Sequence, residues 1–158
     1  MRKTILAAMI FGLCLTSGIG AGAEKARAMD DAVSKHMVAQ AKLAAHFIAA
    51  AVKAGMSKKE IDAVLTKVAK ESTISEFWIS DEKGKIEFTN IPGTSFQFPA
   101  DVSAKSQAAP FAALLSGAKK VVVQGFQPRE LDGKPFKYVG VAGVDKPRIV
   151  QVGVAGGK

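Results

Sequence analysis

The sequence predicts an α+β fold, because its helical and strand-like patterns lie in separate parts of the chain. Up to Glu71, apolar residues recur at spacings of three and four, as they do on one face of a helix. After Thr73 the chain contains short β-branched and aromatic runs bounded by turn residues, as strands do. The later strands follow one another through short links, which favours an antiparallel sheet over the alternating strands and helices of a parallel one.

Two helices are predicted first. One extends over about 28–54 with an apolar stripe at helical spacing, and Gly55 is placed to end it as a C-cap. The second begins after Ser57, because Glu60 three residues later completes the pattern of a capping box. Its predicted apolar face consists of Ile61, Val64, Leu65 and Val68.

A hairpin is predicted next, over 76–80 and 85–89. Gly84 in its turn can adopt the positive φ that such turns need. The following loop, 91–102, contains proline and glycine and also two aromatic residues. We therefore expect it to lie on the core and to form the wall of a pocket, through Phe96 and Phe98.

A short helix is then predicted over about 105–115, with Pro110 near its first turn. Three further strands follow, with turn residues such as those of Asp132-Gly133 between them. These strands extend over 119–126, 136–144 and 148–154. The complete prediction is a five-stranded antiparallel sheet with a long N-terminal helix and short additional helices.

The N-terminal residues have the features of a secretion signal. Arg2 and Lys3 form a basic segment, 5–15 an apolar segment and 21–23 a small-residue cleavage site. We expect a signal peptide over 1–23 and a periplasmic or secreted protein.

The mature chain is then predicted to consist of a long helix, 24–56, and a folded domain, 57–155. The alternative is an uncleaved anchor, because the uncharged stretch 4–23 approaches the roughly 20 residues of a membrane span.

Cysteine usage and charge exclude several functional classes. The one cysteine, Cys14, falls in the predicted signal, so a mature chain would hold no disulfide, catalytic thiolate or c-type haem. Without Arg2 and Lys3 the chain has 20 basic and 14 acidic side chains, and its formal net charge falls from +8 to +6. The lysines are scattered, so we expect attraction to anionic ligands or surfaces and no nucleic-acid binding.

No catalytic or metal-ligating group is predicted. The two histidines, His36 and His46, lie ten residues apart on the first helix, about 15 Å of rise and roughly 80° of rotation, so they cannot share one ion. A single haem-ligating histidine stays open as an alternative, although no cofactor is predicted. No nucleophile lies near a base in the pattern of a hydrolase, and we predict that the protein is not an enzyme.

Three parts of the sequence carry a resemblance to a known family. They are ISEFWISD (74–81) with the following GKI and TN, RELDGK (129–134) with FKYV, and PRIVQVG (147–153). Together they resemble the single Cache domain, the PAS-like extracytoplasmic sensor of bacterial chemoreceptors and histidine kinases. Members usually continue into a second membrane helix and a signalling domain, whereas this chain ends at Lys158, so we expect signalling through a partner.

The resemblance implies a ligand pocket between the sheet and its covering loop. Arg129 or Lys137 would hold a carboxylate, since a planar guanidinium donates two parallel hydrogen bonds. Lys137 and Tyr138 are adjacent on a strand and must point to opposite faces of the sheet. The implied ligand-binding residues are Trp78, Phe96, Phe98, Gln124, Phe126, Arg129 and Tyr138.

The resulting hypothesis is an exported sensory domain for chemotaxis or related signal transduction. It would bind a small molecule, an anionic metabolite such as a carboxylate, and act on a membrane receptor or kinase by moving the loop with Phe96 and the first helix. The alternative is an interaction module that forms a homodimer through that helix without a ligand. A filled core beneath Trp78 and Tyr138 would favour this alternative, whose close helix contact would use Ala41, Ala44, Ala45, Ala49 and Ala51.

Overall fold

The computed structural model describes residues 18–156. Two helices come first, α1 (Gly18–Lys53) and α2 (Lys58–Glu71). A 3-10 turn (Ala109–Phe111) leads into the short α3 (Ala112–Leu115). The strands are β1 (Glu76–Ser80), β2 (Ile86–Thr89), β3 (Val121–Val123), β4 (Gln127–Pro128), β5 (Pro135–Ala142) and β6 (Ile149–Ala155).

Helix α1 starts earlier than its apolar stripe indicated. It already includes 18–23, the last part of the predicted signal peptide, because the segment 18–28 contains neither a proline nor a serine, threonine, asparagine or aspartate that would cap a helix start. The rest of that segment lies outside the described residues, and its cleavage stays a prediction. Within 18–156, none of the helices combines the length and apolar character that a membrane span requires.

The predicted junction between α1 and α2 is confirmed. Gly55 has φ of 76°, and the next amide, Met56 N, donates to Ala51 O at 3.0 Å, which are the features of a Schellman C-cap. Ser57 then caps α2, with its hydroxyl and backbone both bonded to Glu60 as in a capping box.

The sheet has the strand order β2-β1-β6-β5-β3, and every pairing is antiparallel. The predicted α+β class is therefore confirmed. The sheet has six strands where five were predicted, because the segment 119–126 does not form one continuous strand. Gln124 N still donates to Tyr138 O at 2.9 Å, but the chain leaves the ladder at Gly125, a residue with low strand propensity, and returns as β4.

Both faces of the sheet are buried, and successive side chains along each strand point alternately to one face and to the other. One face packs against α1 and α2 through Phe77, Ile79, Val139, Val141, Val150 and Val152. The opposite face, which we call the covered face, lies under α3 and the loop after β2. It carries Glu76, Trp78, Tyr138, Gly140, Gln151 and Gly153.

The loop after β2 lies on the core as predicted. Phe98 is only 1% exposed, and its ring centroid lies 6.1 Å from that of Phe111. The loop is also tied to the hairpin turn, where Phe98 N donates to Gly84 O at 2.9 Å. Gly84 has φ of 81°, and a Cβ there would lie 2.8 Å from Phe98 O, so both the turn and the close contact require glycine.

Candidate ligand-binding cavity

A cavity of about 180 Å³ lies between the covered face and the two loops above it. An apolar cavity of about 150 Å³ holds one benzene molecule, so this space suits a ligand of a few heavy atoms. Pockets for drug-sized ligands are larger, about 300–1,000 Å³. The cavity is bordered by aromatic rings, three glutamines and two charged residues: Trp78, Phe96, Phe111, Tyr138, Gln107, Gln124, Gln151, Arg129 and Glu130.

The aromatic wall is built from rings in edge contact. Phe96 meets Trp78 with ring centroids 5.6 Å apart, and it meets Phe98 behind it at 5.1 Å. Such edge-to-face pairs contribute more than their buried area alone. Phe96 therefore joins the loop to the sheet at the cavity, although 39% of its surface stays exposed.

The Tyr138 ring lies across the sheet because Gly153, its partner on the adjacent strand, has no side chain. Gly153 on β6 pairs with Tyr138 on β5 and also with Glu76 on β1. A Cβ on Gly153 would lie 2.6 Å from Tyr138 Cε1, so the ring occupies that space. The hydroxyl group thereby reaches past β6 and donates to Glu76 Oε2 at 3.0 Å.

Glu76 is a buried carboxylate with three donors. Trp78 Nε1 donates to Glu76 Oε2 at 2.9 Å, alongside the Tyr138 hydroxyl, and Arg129 Nη1 donates to Oε1. The residue is 6% exposed, and a buried charge needs such partners. Glu76 thus fixes the orientation of both aromatic residues at this end of the cavity.

Arg129 is held by a second carboxylate. Its Nε and Nη2 donate to the two oxygens of Asp132 at 2.6 and 2.8 Å, in the bidentate geometry of strong pairs. The hydrogen bonds from Arg129 hold the pKa of Asp132 well below its usual range, and the bond to Asp132 likewise raises the pKa of Arg129. Burial, followed by the charge of Glu76, raises the pKa of Tyr138, so its hydroxyl stays protonated as a donor at neutral pH.

Two glutamines add polar groups to the cavity. Gln124 Nε2 donates to Gln107 O at 2.6 Å, while Gln124 Oε1 is buried and has no hydrogen-bond partner among the described residues. Gln151 lies on β6 beside Trp78 and is 6% exposed. The site therefore has both aromatic walls and amide groups.

The structure brings five of the seven residues implied by the resemblance to the cavity: Trp78, Phe96, Gln124, Arg129 and Tyr138. Phe98 does not line it, because it packs behind Phe96 in the core. Phe126 does not line it either; it is 47% exposed, and Lys137 Nζ lies 5.7 Å from its ring centroid.

Several residues of the site were not expected from the sequence: Gln107, Phe111 and Gln151, which line the cavity, and Glu76, which binds the lining residues Trp78, Arg129 and Tyr138. The alternation of strand β1 could have placed Glu76 on the same face as Trp78. Gln107 and Phe111 had no comparable signal, since their positions depend on how the loop and α3 fold over the sheet.

Lys137 lies on the other face of β5, as its adjacency to Tyr138 required. Its side chain is 1% exposed, and Nζ donates to Asp30 on α1 at 2.8 Å. The two histidines, His36 and His46, are exposed on α1. Within the part of the chain that the structure describes, no three potential metal ligands form a cluster.

No protein-family model and no curated protein sequence matches the chain. Among solved structures, the chain is similar to a Cache chemosensory domain that was described for its recognition of carboxylic acids. The superposition has a TM-score of 0.52 with 16% sequence identity, and it covers 85% of this chain and 97% of the other. At this identity the similarity concerns the fold.

Proposed function

Because the chain has the fold of a single Cache domain, we propose that it is an extracytoplasmic sensory domain that binds a small carboxylic acid in the cavity. The single observation that carries this proposal is the open cavity between Trp78 and Tyr138, on the covered face of the sheet. A filled core at this place would have favoured the sequence-based alternative without a ligand. A Cache fold also favours binding over catalysis.

Arg129 supports a carboxylate as the ligand group. Three of its five N–H bonds are directed to Glu76 and Asp132, so two remain for another acceptor. Lys134 Nζ lies 3.5 Å from Asp132 Oδ2, and these two cations balance the two carboxylates of the cluster. Glu130, which also borders the cavity, adds one further negative charge, so the attraction for an anion rests on the two remaining Arg129 N–H groups and on the net positive charge of the chain.

A direct test compares an acid with its uncharged analogue. Propanoate and propanamide have nearly the same shape; the amide lacks the charge and carries an NH2 donor in place of one acceptor oxygen. At 100 times its dissociation constant, a ligand stabilises a protein by about 2.7 kcal/mol, which raises the melting temperature of a domain this size by on the order of 10 °C. We expect such a shift with propanoate or a related small acid and none with the amide.

A cavity-filling variant shows whether binding occurs in this space. Ala108 borders the cavity, and Ala108→Phe is expected to abolish the thermal shift. The matched control is Ala104→Phe, because Ala104 lies in the same loop but is exposed. If the acid stabilised both variants equally, or stabilised no form of the protein, the proposed site would be wrong.

We also propose that ligand binding is transmitted to α1 and from there to a membrane receptor or kinase. Tyr138 borders the cavity, and the adjacent Lys137 holds Asp30 of α1. Hydrogen exchange of α1 amides with and without the acid tests this link. An exchange pattern around Asp30 that does not change on saturation with the acid would contradict it.

Export is part of the same proposal, since Cache domains act outside the cytoplasm. The signal over 1–23 predicts a mature chain that starts near Glu24. Fractionation of a bacterial host that expresses the full chain, followed by intact-mass measurement, distinguishes the two forms. A full-length protein in the membrane fraction would indicate the uncleaved anchor.

Homodimerisation through α1 is the second candidate, and exposed apolar residues on this helix favour it. Met29 and Leu43 are 62% and 65% exposed, and they lie on one side of the helix. The alanine face suggested by the sequence is used elsewhere, because Ala41, Ala45 and Ala51 are buried in the protein's own core. Light scattering at micromolar concentration, with Leu43→Lys as the test variant, measures whether a dimer forms through the exposed side.

A further inference from the structure

We infer that Gln124 selects ligands that carry a hydrogen-bond donor, a hydroxyl or amino group, in addition to the carboxylate. This inference rests on the proposed function and names its ligand class more narrowly. Its basis is the Oε1 atom of Gln124: the residue borders the cavity, and this acceptor is buried and receives no hydrogen bond from any described residue.

The position of Gln124 is set by two contacts. Its backbone N donates to Tyr138 O at 2.9 Å, which continues the pairing of β3 with β5 by one residue. Its side-chain Nε2 donates to Gln107 O at 2.6 Å. Exchanging the amide N and O would place two acceptors against each other at that distance, so Oε1 is the atom left without a partner.

Two of the donors at this end of the cavity are already engaged with Glu76. The Trp78 N–H and the Tyr138 O–H both point to Glu76, and Glu76 receives a third bond from Arg129. Neither the Trp78 N–H nor the Tyr138 O–H is therefore available to Gln124. A buried acceptor without a partner is costly, and a ligand that brings a donor removes this cost on binding.

This arrangement favours acids that carry a hydrogen-bond donor over acids of the same size that lack one. A site built to hydrogen-bond a polar group rejects the analogue that lacks the group, because the buried protein atom then stays unpaired. An unsubstituted aliphatic acid would fill the cavity and leave Gln124 Oε1 unsatisfied. A hydroxy or amino acid of the same length would satisfy it, so the expected preference is about tenfold or more.

The first experiment compares ligands on the unaltered protein by isothermal titration. The probes are propanoate, lactate and alanine, which share a three-carbon chain and differ in the group on carbon two. We expect lactate or alanine to bind at least tenfold more tightly than propanoate, and the comparison between these two identifies the donor. Equal affinities for all three would overturn the inference but leave the proposed function intact, whereas binding of none would overturn both.

The second experiment removes the acceptor. In Gln124→Met, lactate and alanine should bind no more tightly than propanoate, while the affinity for propanoate itself is maintained. The control is Gln97→Met, because the Gln97 amide also donates to a backbone carbonyl, Lys83 O at 3.0 Å, but does not border the cavity. A preference that persists in Gln124→Met, or is lost in Gln97→Met, would overturn the assignment to Gln124. If Gln124→Met fails to fold, the ligand comparison on the unaltered protein decides the inference.

Discussion

Replacing Gly153 with alanine is expected to destabilise the protein and to distort the cavity wall. The new Cβ would lie 2.6 Å from Tyr138 Cε1 and 3.0 Å from Cδ1. Carbon atoms in contact are normally about 3.5–4.0 Å apart, so the ring must move by about 1 Å. Glu76 lies opposite Gly153 on the neighbouring strand β1. The same shift of the ring therefore moves the Tyr138 hydroxyl away from its 3.0 Å hydrogen bond to Glu76.

The expected loss follows from these two effects. Overpacking of a well-packed core costs about 1–3 kcal/mol. A weakened hydrogen bond to a charged acceptor such as Glu76 adds up to about 1.5–3 kcal/mol. Alanine in place of glycine in a strand recovers about 0.5–1 kcal/mol through the unfolded chain. We therefore expect Gly153→Ala to lower the free energy of unfolding by about 2–3 kcal/mol.

Urea unfolding monitored by fluorescence measures this change, because Trp78 is the sole tryptophan and lies beside Tyr138 at the cavity. Gly125→Ala is the control, since a Cβ there would have no atom within 4 Å. It should change the free energy of unfolding by no more than about 0.5 kcal/mol. If Gly153→Ala were as stable as Gly125→Ala, the packing of Tyr138 over Gly153 would not have the energetic role argued above.

Two further variants test the charged contacts on either side of β5. Asp30→Ala should lower the free energy of unfolding in urea by about 1–3 kcal/mol, because it leaves the buried Lys137 ammonium without its partner. Lys137→Met should lower it by less, and the reverse order would contradict this reasoning. Asp132→Asn should destabilise the protein at neutral pH, and the difference from wild type should shrink below about pH 4. The reason is that the pKa of Asp132 is lower in the folded state, so its stabilisation is present above the unfolded pKa and is lost as pH falls. A difference that stays constant from pH 7 to pH 3 would contradict the role of its pair with Arg129.

Local sequence signals predicted the elements of the fold because those elements are defined by neighbouring residues. Gly55, the Ser57 capping box and Gly84 each determine a boundary within a few residues, and each is found where predicted. The interruption between β3 and β4 was missed. A strand can continue past Gly125 or leave the ladder there, and the outcome depends on pairing with the distant strand β5.

The candidate site was less predictable, because its polar contacts join distant parts of the chain. Glu76 and Arg129 are 53 residues apart, and neither position carries a local signal for the ion pair. Gln124 was implied by the resemblance, but its unpaired oxygen depends on the Gln107 carbonyl, 17 residues earlier in a loop. No local pattern in the sequence shows what Gly153 accommodates; only the register of three strands places an aromatic ring over it.

The geometry of β5 explains how a cavity and a helix on opposite sides of a sheet can be coupled without a long chain of contacts. Tyr138 points into the covered face and Lys137 into the other, so one peptide unit separates the cavity from the Asp30 bond. A ligand that displaces the Tyr138 ring acts on the backbone that also carries Lys137. Because Lys137 is buried and bonded to Asp30, it is the residue through which the proposed coupling would carry such a shift to α1.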